Sequence, residues 1–295
     1  MDEFALIDCI RVALGEQAAG PDVLIGPGDD AAVVQPPSDG MAAVASIDTL
    51  LPDVHFPADA PADAIGYRAL MVAASDLAAM AAHPGYAVIS LSLPQSDAAW
   101  VSAFAHGLAE ASREISLPIV GGNLSRGPLN IAVSVHGWVG PGGALLRSGA
   151  RAGDLLQVSG PLGSAAACVR SQQFSIHGAL TAVQQAYFRP RARLDLTNVI
   201  ASAHAAIDVS DGLLQDANHM AQASACALHI DTSLLPVGAD ATLQDGLTGG
   251  DDYQILATAP AKLPGFTVIG DVRVGAGVVL DGQAITGTGY DHFRA

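Results

Sequence analysis

The sequence predicts an α/β (α+β) protein of two domains, residues 1–145 and 146–295. Three observations carry this. Segments with helical periodicity alternate with segments of strand length or strand alternation along the chain. A stretch rich in Gly, Ala and Arg at 140–153 interrupts them near the middle. The same interleaving then starts again.

Taken in order, Phe4, Ile7, Ile10 and Leu14 have helical spacing, and residues 41–47 are an apolar run of strand length ending at Asp48. Residues 61–82 form an Ala-rich helix, with Asp59 placed to cap it and Pro61 near its first turn. Residues 86–93 alternate as a strand. Ser96 opens a helix whose apolar face is Trp100, Phe104, Leu108 and Ile115. Residues 118–120 make a short strand running into Gly121-Gly122, and 129–139 alternate again. In the second half the spacing predicts a strand over 155–159 and helices over 164–170, 191–203 and 211–224. Further strands are expected around 227–231, 253–258, 266–269 and 278–280.

Composition narrows the function. The formal net charge is -16, with 14 acidic and 2 basic residues (Arg11 and Arg68) in positions 1–100, against 15 and 11 in the rest. Lys262 is the only lysine. So acidic a surface argues against nucleic acid and against anionic membrane, which rely on basic patches. It leaves room for an anionic substrate if metal ions supply the positive charge. Cys9, Cys168 and Cys226 are far apart and odd in number, which supports neither a zinc site nor a disulfide framework. The uncharged stretch 127–146 is broken by Pro128, Asn130, His136 and Gly140-Pro141-Gly142-Gly143 and reads as strand and turn. Met1-Asp2-Glu3-Phe4 lacks the basic region of a signal peptide, so the expected location is cytoplasmic.

Carboxylates recur in short motifs: Gly28-Asp29-Asp30, Ser46-Ile47-Asp48-Thr49, Ser75-Asp76-Leu77, Asp208-Val209-Ser210-Asp211-Gly212 and Gly249-Gly250-Asp251-Asp252-Tyr253. Carboxylates gathered at one site repel each other, and hard divalent cations are the usual compensation. Asp76 is the only charged side chain between Ala69 and Ala82, so it is either paired or metal-bound inside the helix, or solvent-facing beside Ser75. Asp48 ends a strand, where it could be a site carboxylate or an ordinary cap. Asp208 and Asp211 bracket Ser210 at a strand-to-helix transition and suit either a Mg2+ seat or a helix cap. Gly121-Gly122-Asn123 could let backbone N–H groups approach a phosphate. No P-loop or protein-kinase motif is present. Arg147 is the best-placed arginine for a phosphate, and His55, near Asp48 in sequence, could touch substrate.

In their order and spacing these motifs resemble the thiamine-monophosphate kinase family, within the superfamily of aminoimidazole ribonucleotide synthetase and selenophosphate synthetase. The similarity runs from Ile25-Gly26-Pro27-Gly28-Asp29-Asp30 to Gly289-Tyr290-Asp291-His292-Phe293. Ser75-Asp76-Leu77-Ala78-Ala79-Met80 and Arg147-Ser148-Gly149-Ala150-Arg151-Ala152-Gly153-Asp154 favour the thiamine branch. The resemblance implies an aminoimidazole-ribonucleotide-synthetase-like fold and a homodimer whose N-terminal sheets join into a barrel. ATP would be co-substrate to thiamine monophosphate, with several Mg2+ ions and a monovalent cation as a further candidate.

By that resemblance Asp30, Ser46, Ile47, Asp48, Asp76, Asn123, Asp208 and Asp211 would serve the metals. Gly122, Asn123, Arg147 and Ser210 would contact ATP, and His55, Asp251 and Tyr290 would line the substrate site. No catalytic side chain is implied, because the substrate's phosphate oxygen is already ionised and the metals would assist the transfer. Asn123 stands where the family usually has Asp, Ala74 where Asn is usual, and Asp251 where Glu is common. Two alternatives stay open: a nucleotide- or thiamine-phosphate-binding member with weakened catalysis, and another ATP-dependent synthetase of the superfamily.

Overall fold

The computed structural model describes residues 3–27, 31–176 and 178–285. The chain divides into two compact units, Met1–Leu77 with Ala82–Gly142, and Ala78–Ala81 with Gly143–Ala295. Asp30 and Tyr290 lie outside the described residues. Among the described residues, no helix is long and apolar enough to cross a membrane.

The first unit contains α1 (Glu3–Leu14), β1 (Val23–Ile25), β2 (Val33–Val34), β3 (Ala42–Leu50), α2 (Ala62–Ala79), β4 (His83–Leu93), α3 (Ala98–Ile115), β5 (Ile119–Arg126) and β6 (Asn130–Val139). Its main sheet has the order β3-β6-β4-β5, with only β4 and β5 parallel. Period-2 alternation gives the sheet two different faces. Val44, Leu50, Ala87, Ile89, Leu91, Ile131, Val133 and Val135 are buried on one face. On the other, Ala43, Ala45, Ile47 and Thr49 are exposed.

Helix α2 is buried along nearly its whole length, which its alanines permit, and α3 crosses it without a side chain between them. A Cβ at Gly66 would run into the Phe104 carbonyl oxygen, and one at Gly107 into that of Asp63. Asp97 caps α3 by accepting from Trp100 N at 3.0 Å, one residue beyond the predicted start at Ser96. Strand β5 differs from expectation: it continues through Gly121-Gly122 to Arg126, paired in parallel with β4.

The second unit contains β7 (Leu155–Val158), α4 (Ser164–Arg170), α5 (Ala182–Phe188), α6 (Thr197–Ile200), β8 (Ala205–Val209), α7 (Leu213–Ser224), β9 (Ala227–Ile230), α8 (Leu243–Thr248), β10 (Gln254–Ala259), β11 (Thr267–Arg273), β12 (Gly277–Leu280) and β13 (Gln283–Ile285). Its seven strands run β13-β12-β9-β11-β7-β10-β8, antiparallel except for β12 beside β9. Leu156, Val158, Ile207, Val209, Leu256 and Ile269 pack with Leu213, Ala217 and Met220 of α7. Ala206, Ile255 and Ala257 form a second cluster with Leu196, Ile200 and Phe266. Both faces of this sheet are therefore buried.

The helix predicted over 191–203 is only α6 after a short 3-10 turn, because Arg193 is turned into the body. Its Nη1 donates to Gln254 Oε1 at 2.7 Å and to Ser159 O at 3.2 Å, and its Nε to Asp195 at 3.0 Å.

The α2–α3 crossing generates a stability prediction. Gly107→Ala forces the two backbones apart and is expected to cost about 1–3 kcal/mol or more, the scale of overpacking. A denaturant midpoint equal to wild type would show that the crossing relaxes freely.

Candidate active site

The first unit gathers one group of site residues at the junction of β3 and α2. Ser46 and Asp48 are two apart on β3, so both side chains leave the helix-facing side of the sheet. Ser46 Oγ donates to Asp76 Oδ2 at 2.5 Å. Asp48 is pushed up to about 6, first by burial and then by the Asp76 charge. Asp48 lies within β3, which runs on to Leu50, rather than at its end as the apolar run suggested. Ile47 points to the opposite face and is 63% exposed, so only its main-chain oxygen could serve an ion on this side. Ser46 O also accepts from Ser134 Oγ at 3.2 Å, which ties the motif to β6.

Gly122 and Asn123 stand at the far edge of the same sheet. The register aligns Asp48 with Val133, Ile89 and Gly122, three strand spacings or about 14 Å across. A Cβ at Gly122 would strike the Ile89 carbonyl oxygen, so a side chain is excluded there by strand packing. Asn123 pairs with Ser90 and shares the face of Ala132 and Thr49. That is the face opposite Asp48, so within one chain Asn123 is set apart from the Ser46–Asp48–Asp76 group. The reason is strand parity: β5 runs on through Gly122 and Asn123, and neighbours in a strand point to opposite faces.

His55 sits in the turn after β3. Its Nδ1 accepts from Leu51 N at 3.0 Å, which leaves the proton of the neutral ring on Nε2. The buried Arg68 of α2 holds the same turn by donating from Nε to His55 O at 3.2 Å.

The second unit gathers the other group where β8 meets α7. Asp208, on β8, is only 4% exposed. Ser210 and Asp211 follow in a turn closed by Gly212, whose φ is +109°. The loop before β10 lies against this turn: Asp251 N donates to Ser210 O at 2.9 Å and Tyr253 N to Val209 O at 2.8 Å. Gly250 has no room for a Cβ against Ser210 O. Asp251 and Tyr253 both hold positive φ, +68° and +50°, and Tyr253 Oη donates to Asp251 Oδ1 at 2.8 Å. Asp208, Ser210, Asp211 and Asp251 are thus brought together.

Arg147 is exposed, and its main-chain oxygen accepts from Ser224 Oγ at 2.9 Å, at the C-terminal end of α7. The next-door Leu146 O accepts from Ala206 N, four residues before Ser210. The Arg147 backbone therefore stands roughly 13 Å along β8 from the Ser210 turn.

Asp216 and His219 are absent from the sequence motifs, and Asp252 stands in one of them without an assigned role. Asp216 is 2% exposed and pushed up to about 8 by burial, then by Asp208 and Asp211. Asp211, Asp216 and His219 bring one ligand atom each within 4.8 Å of one another. Asp252 is raised well above the carboxylate range, chiefly by burial, and accepts from Gly163 N at 2.8 and 2.9 Å. Asp216 offered only the weak signal of an acid in a first helical turn.

Oxygen-rich groups in which burial and like charge oppose ionisation suit a hard divalent cation. Residues 28–139 match the family model described as AIR synthase related protein, N-terminal domain, which defines the class of the fold. Thiamine-monophosphate kinase of Escherichia coli (strain K12) is 36% identical over 303 residues, with 92% of this chain and 93% of that protein covered. A solved thiamine-monophosphate kinase from Stenotrophomonas maltophilia K279a gives a TM-score of 0.86 at 39% identity, covering 97% and 98% of the two chains. The solved structure of AaThiL complexed with AMPPCP and TMP gives 0.81 at 32% identity, covering 99% and 97%. The chain belongs to the thiamine-monophosphate kinase family, whose members are phosphotransferases.

The raised Asp48 carboxyl fixes the sign of a pH effect. Its folded value lies above the unfolded one, so the folded state binds the extra proton between about pH 4 and 6. Its stabilising contribution is full below about pH 4 and is lost as pH rises through about 6. Without metal, Asp48→Asn is expected to flatten that fall in melting temperature. Mg2+ should then raise the wild-type melting temperature more at pH 7.5 than at pH 5. Equal shifts at both pH values would show that Asp48 neither titrates there nor meets the ion.

Proposed function

We propose that this protein phosphorylates thiamine monophosphate to thiamine diphosphate with ATP as donor, by direct in-line transfer. The observation that carries the reading is the Ser46–Asp48–Asp76 group: two carboxylates and a hydroxyl, partly buried and charge-crowded, in a chain of this family. Ser46, Asp48 and Asp76 in the first unit, and Asp208 and Asp211 in the second, are the residues that would hold several Mg2+ ions. Bound there, such ions screen the repulsion between two polyanions and neutralise charge on the transferred group.

The chain's own residues bind and orient. Asp48 gives up its proton near neutral pH and so offers a full charge when a cation is present. Ser210 and Gly122 offer a hydroxyl and an unobstructed backbone to the nucleotide. Asn123, on the other face of the sheet, is assigned to the nucleotide rather than to the Asp48–Asp76 ion, and Arg147 is a further phosphate contact. His55 and Asp251, both held by hydrogen bonds before any ligand arrives, are assigned to the thiamine phosphate. Asp30 and Tyr290 keep their assigned roles from family resemblance. The substrate phosphate is already ionised, so no general base is needed.

We further infer a homodimer. The first unit's sheet leaves one face open, with Ile47 exposed and with Tyr86 stacked on His136 at 4.4 Å and 9°. Beside them Trp138 Nε1 is buried without a hydrogen-bond partner. An uncovered sheet face carrying aromatic rings favours pairing with a second copy. Light scattering at micromolar concentration is expected to give twice the chain mass, and a stable monomer would refute the pairing.

The function is tested by incubating the full chain with Mg-ATP and thiamine monophosphate and following thiamine diphosphate. Asp48→Asn and Asp76→Asn should each lower turnover about a hundredfold or more while the fold is kept, a loss comparable to one strong transition-state contact. Wild-type turnover in both variants at limiting Mg2+ would remove the metal assignment. Tight ligand binding with no product in the wild type would make the chain a binding protein instead.

A further inference from the structure

Asp216 plays no part in the resemblance, yet the Ser210–Asp211 turn hangs on it. The carboxylate projects from the first turn of α7, and its Oδ2 accepts from both Ser210 N and Asp211 N, each at 3.1 Å. The opposite side of the turn is tied down by Asp251 N to Ser210 O and by Tyr253 N to Val209 O. Gly212, packed against the main chain of Thr248 with its φ of +109°, fixes the exit. The main chain from Val209 to Gly212 is thus held on both sides.

The choice of a carboxylate for this task is costly. Gly212 occupies the N-cap of α7, with no side-chain cap, and Asp216 reaches back past it to two donors upstream. It does so while almost fully buried next to Asp208 and Asp211. Burying a carboxyl group beside two others is unfavourable, so a group chosen for stability alone would be a neutral Ser or Asn. What the Asp216 side chain adds is one oxygen, Oδ2, that accepts from two N–H groups upstream of the helix.

We propose that Asp216 is a positioning residue for phosphoryl transfer, fixing the Ser210–Asp211 main chain so that those two side chains keep one orientation when nucleotide and cations bind. It acts through them and touches neither ligand. This rests on the assignment of Ser210 and Asp211 in the proposed function. It goes beyond that reading by naming the group that sets their geometry.

Asp216→Ala removes the acceptor, whereas Asp216→Asn keeps one side-chain oxygen able to accept from both N–H groups. The alanine variant is expected to lose about tenfold to a hundredfold in kcat, the scale of a small misplacement of reacting groups, with the KM for thiamine monophosphate within about twofold. The asparagine variant should recover most of that kcat. Lower melting temperatures in both variants with unchanged kcat would make Asp216 merely structural and overturn the proposal. The number of Mn2+ ions bound per chain, read from the spectrum of free Mn2+, should be the same in wild type and both variants. Loss of one ion would make Asp216 a ligand alongside Asp211 and His219, which also overturns it.

Hydrogen exchange of the wild type decides the case if the alanine variant does not fold. The Ser210 and Asp211 amides are expected to exchange about a hundredfold or more slowly than open-loop amides, and open-loop rates would refute the bond. A wild type that makes no thiamine diphosphate defeats the proposed function, and the exchange result still tells whether Asp216 holds the turn.

Discussion

Crowded, buried negative charge is the constraint on which both halves of this molecule depend. Asp48 is crowded by Asp76 in the first unit, and Asp216 by Asp208 and Asp211 in the second, each inside a partly or largely desolvated setting. Elsewhere the chain solves the same problem internally. Burial alone would raise Asp245, but hydrogen bonds from Arg170 and Thr242 outweigh it and hold the carboxyl low. Arg273 does the same for the more exposed Asp271. With 13 basic residues against 29 acidic ones, such pairing is rationed. A bound cation would relieve the crowding of Asp48 by Asp76.

The two halves position these groups by different means. In the first unit, strand alternation does the work: Ser46 and Asp48 face the helix, Ile47 faces away, and Asp76 of α2 comes within hydrogen-bond reach of Ser46. In the second, loops do it, and loops need anchoring to be precise. The Ser210 turn is anchored by hydrogen bonds to Asp216, Asp251 and Tyr253, at the expense of two non-glycine residues in left-handed backbone. Left-handed Asp251 and Tyr253 are tolerable because the surrounding bonds over-determine them.

How much of this was legible in the sequence follows from how local each cause is. The interleaved helices and strands are local patterns, and most of the corresponding elements are present among the described residues. Asp48 was placed at a strand end because the apolar run stops there. The strand in fact continues to Leu50, because β3 stays in register with β6 past Asp48, which pairs with Val133. The expected strand 118–120 ran only up to Gly121-Gly122, whereas β5 continues through them, and the approach of the Ile89 carbonyl explains glycine at 122. Helices α5 and α8 carry readable capping boxes, Thr181 with Gln184 and Thr242 with Asp245, but are too short for apolar periodicity to show. Asp216 was the least visible, because an acid in a first helical turn usually answers to the helix dipole alone.

Strand parity also bears on the Asn that stands where the family usually carries Asp. On the Asp48 side of the sheet, an Asp-to-Asn change would remove charge from a crowded, desolvated place and alter the affinity for a cation sharply. Position 123 faces the other way, onto the face of Ala132 and Thr49, so a change there does not reach the Asp48–Asp76 pair within one chain. The same geometry separates the two tasks of the sheet. Its helix-covered face holds the carboxylates against α2, and the other face, with the Tyr86–His136 stack and the unsatisfied Trp138 indole, has no helix of this unit over it among the described residues. A single sheet can serve both because alternate residues along β3 answer to different neighbours: Ser46 and Asp48 to Asp76, and Ile47 between them to whatever covers the other side.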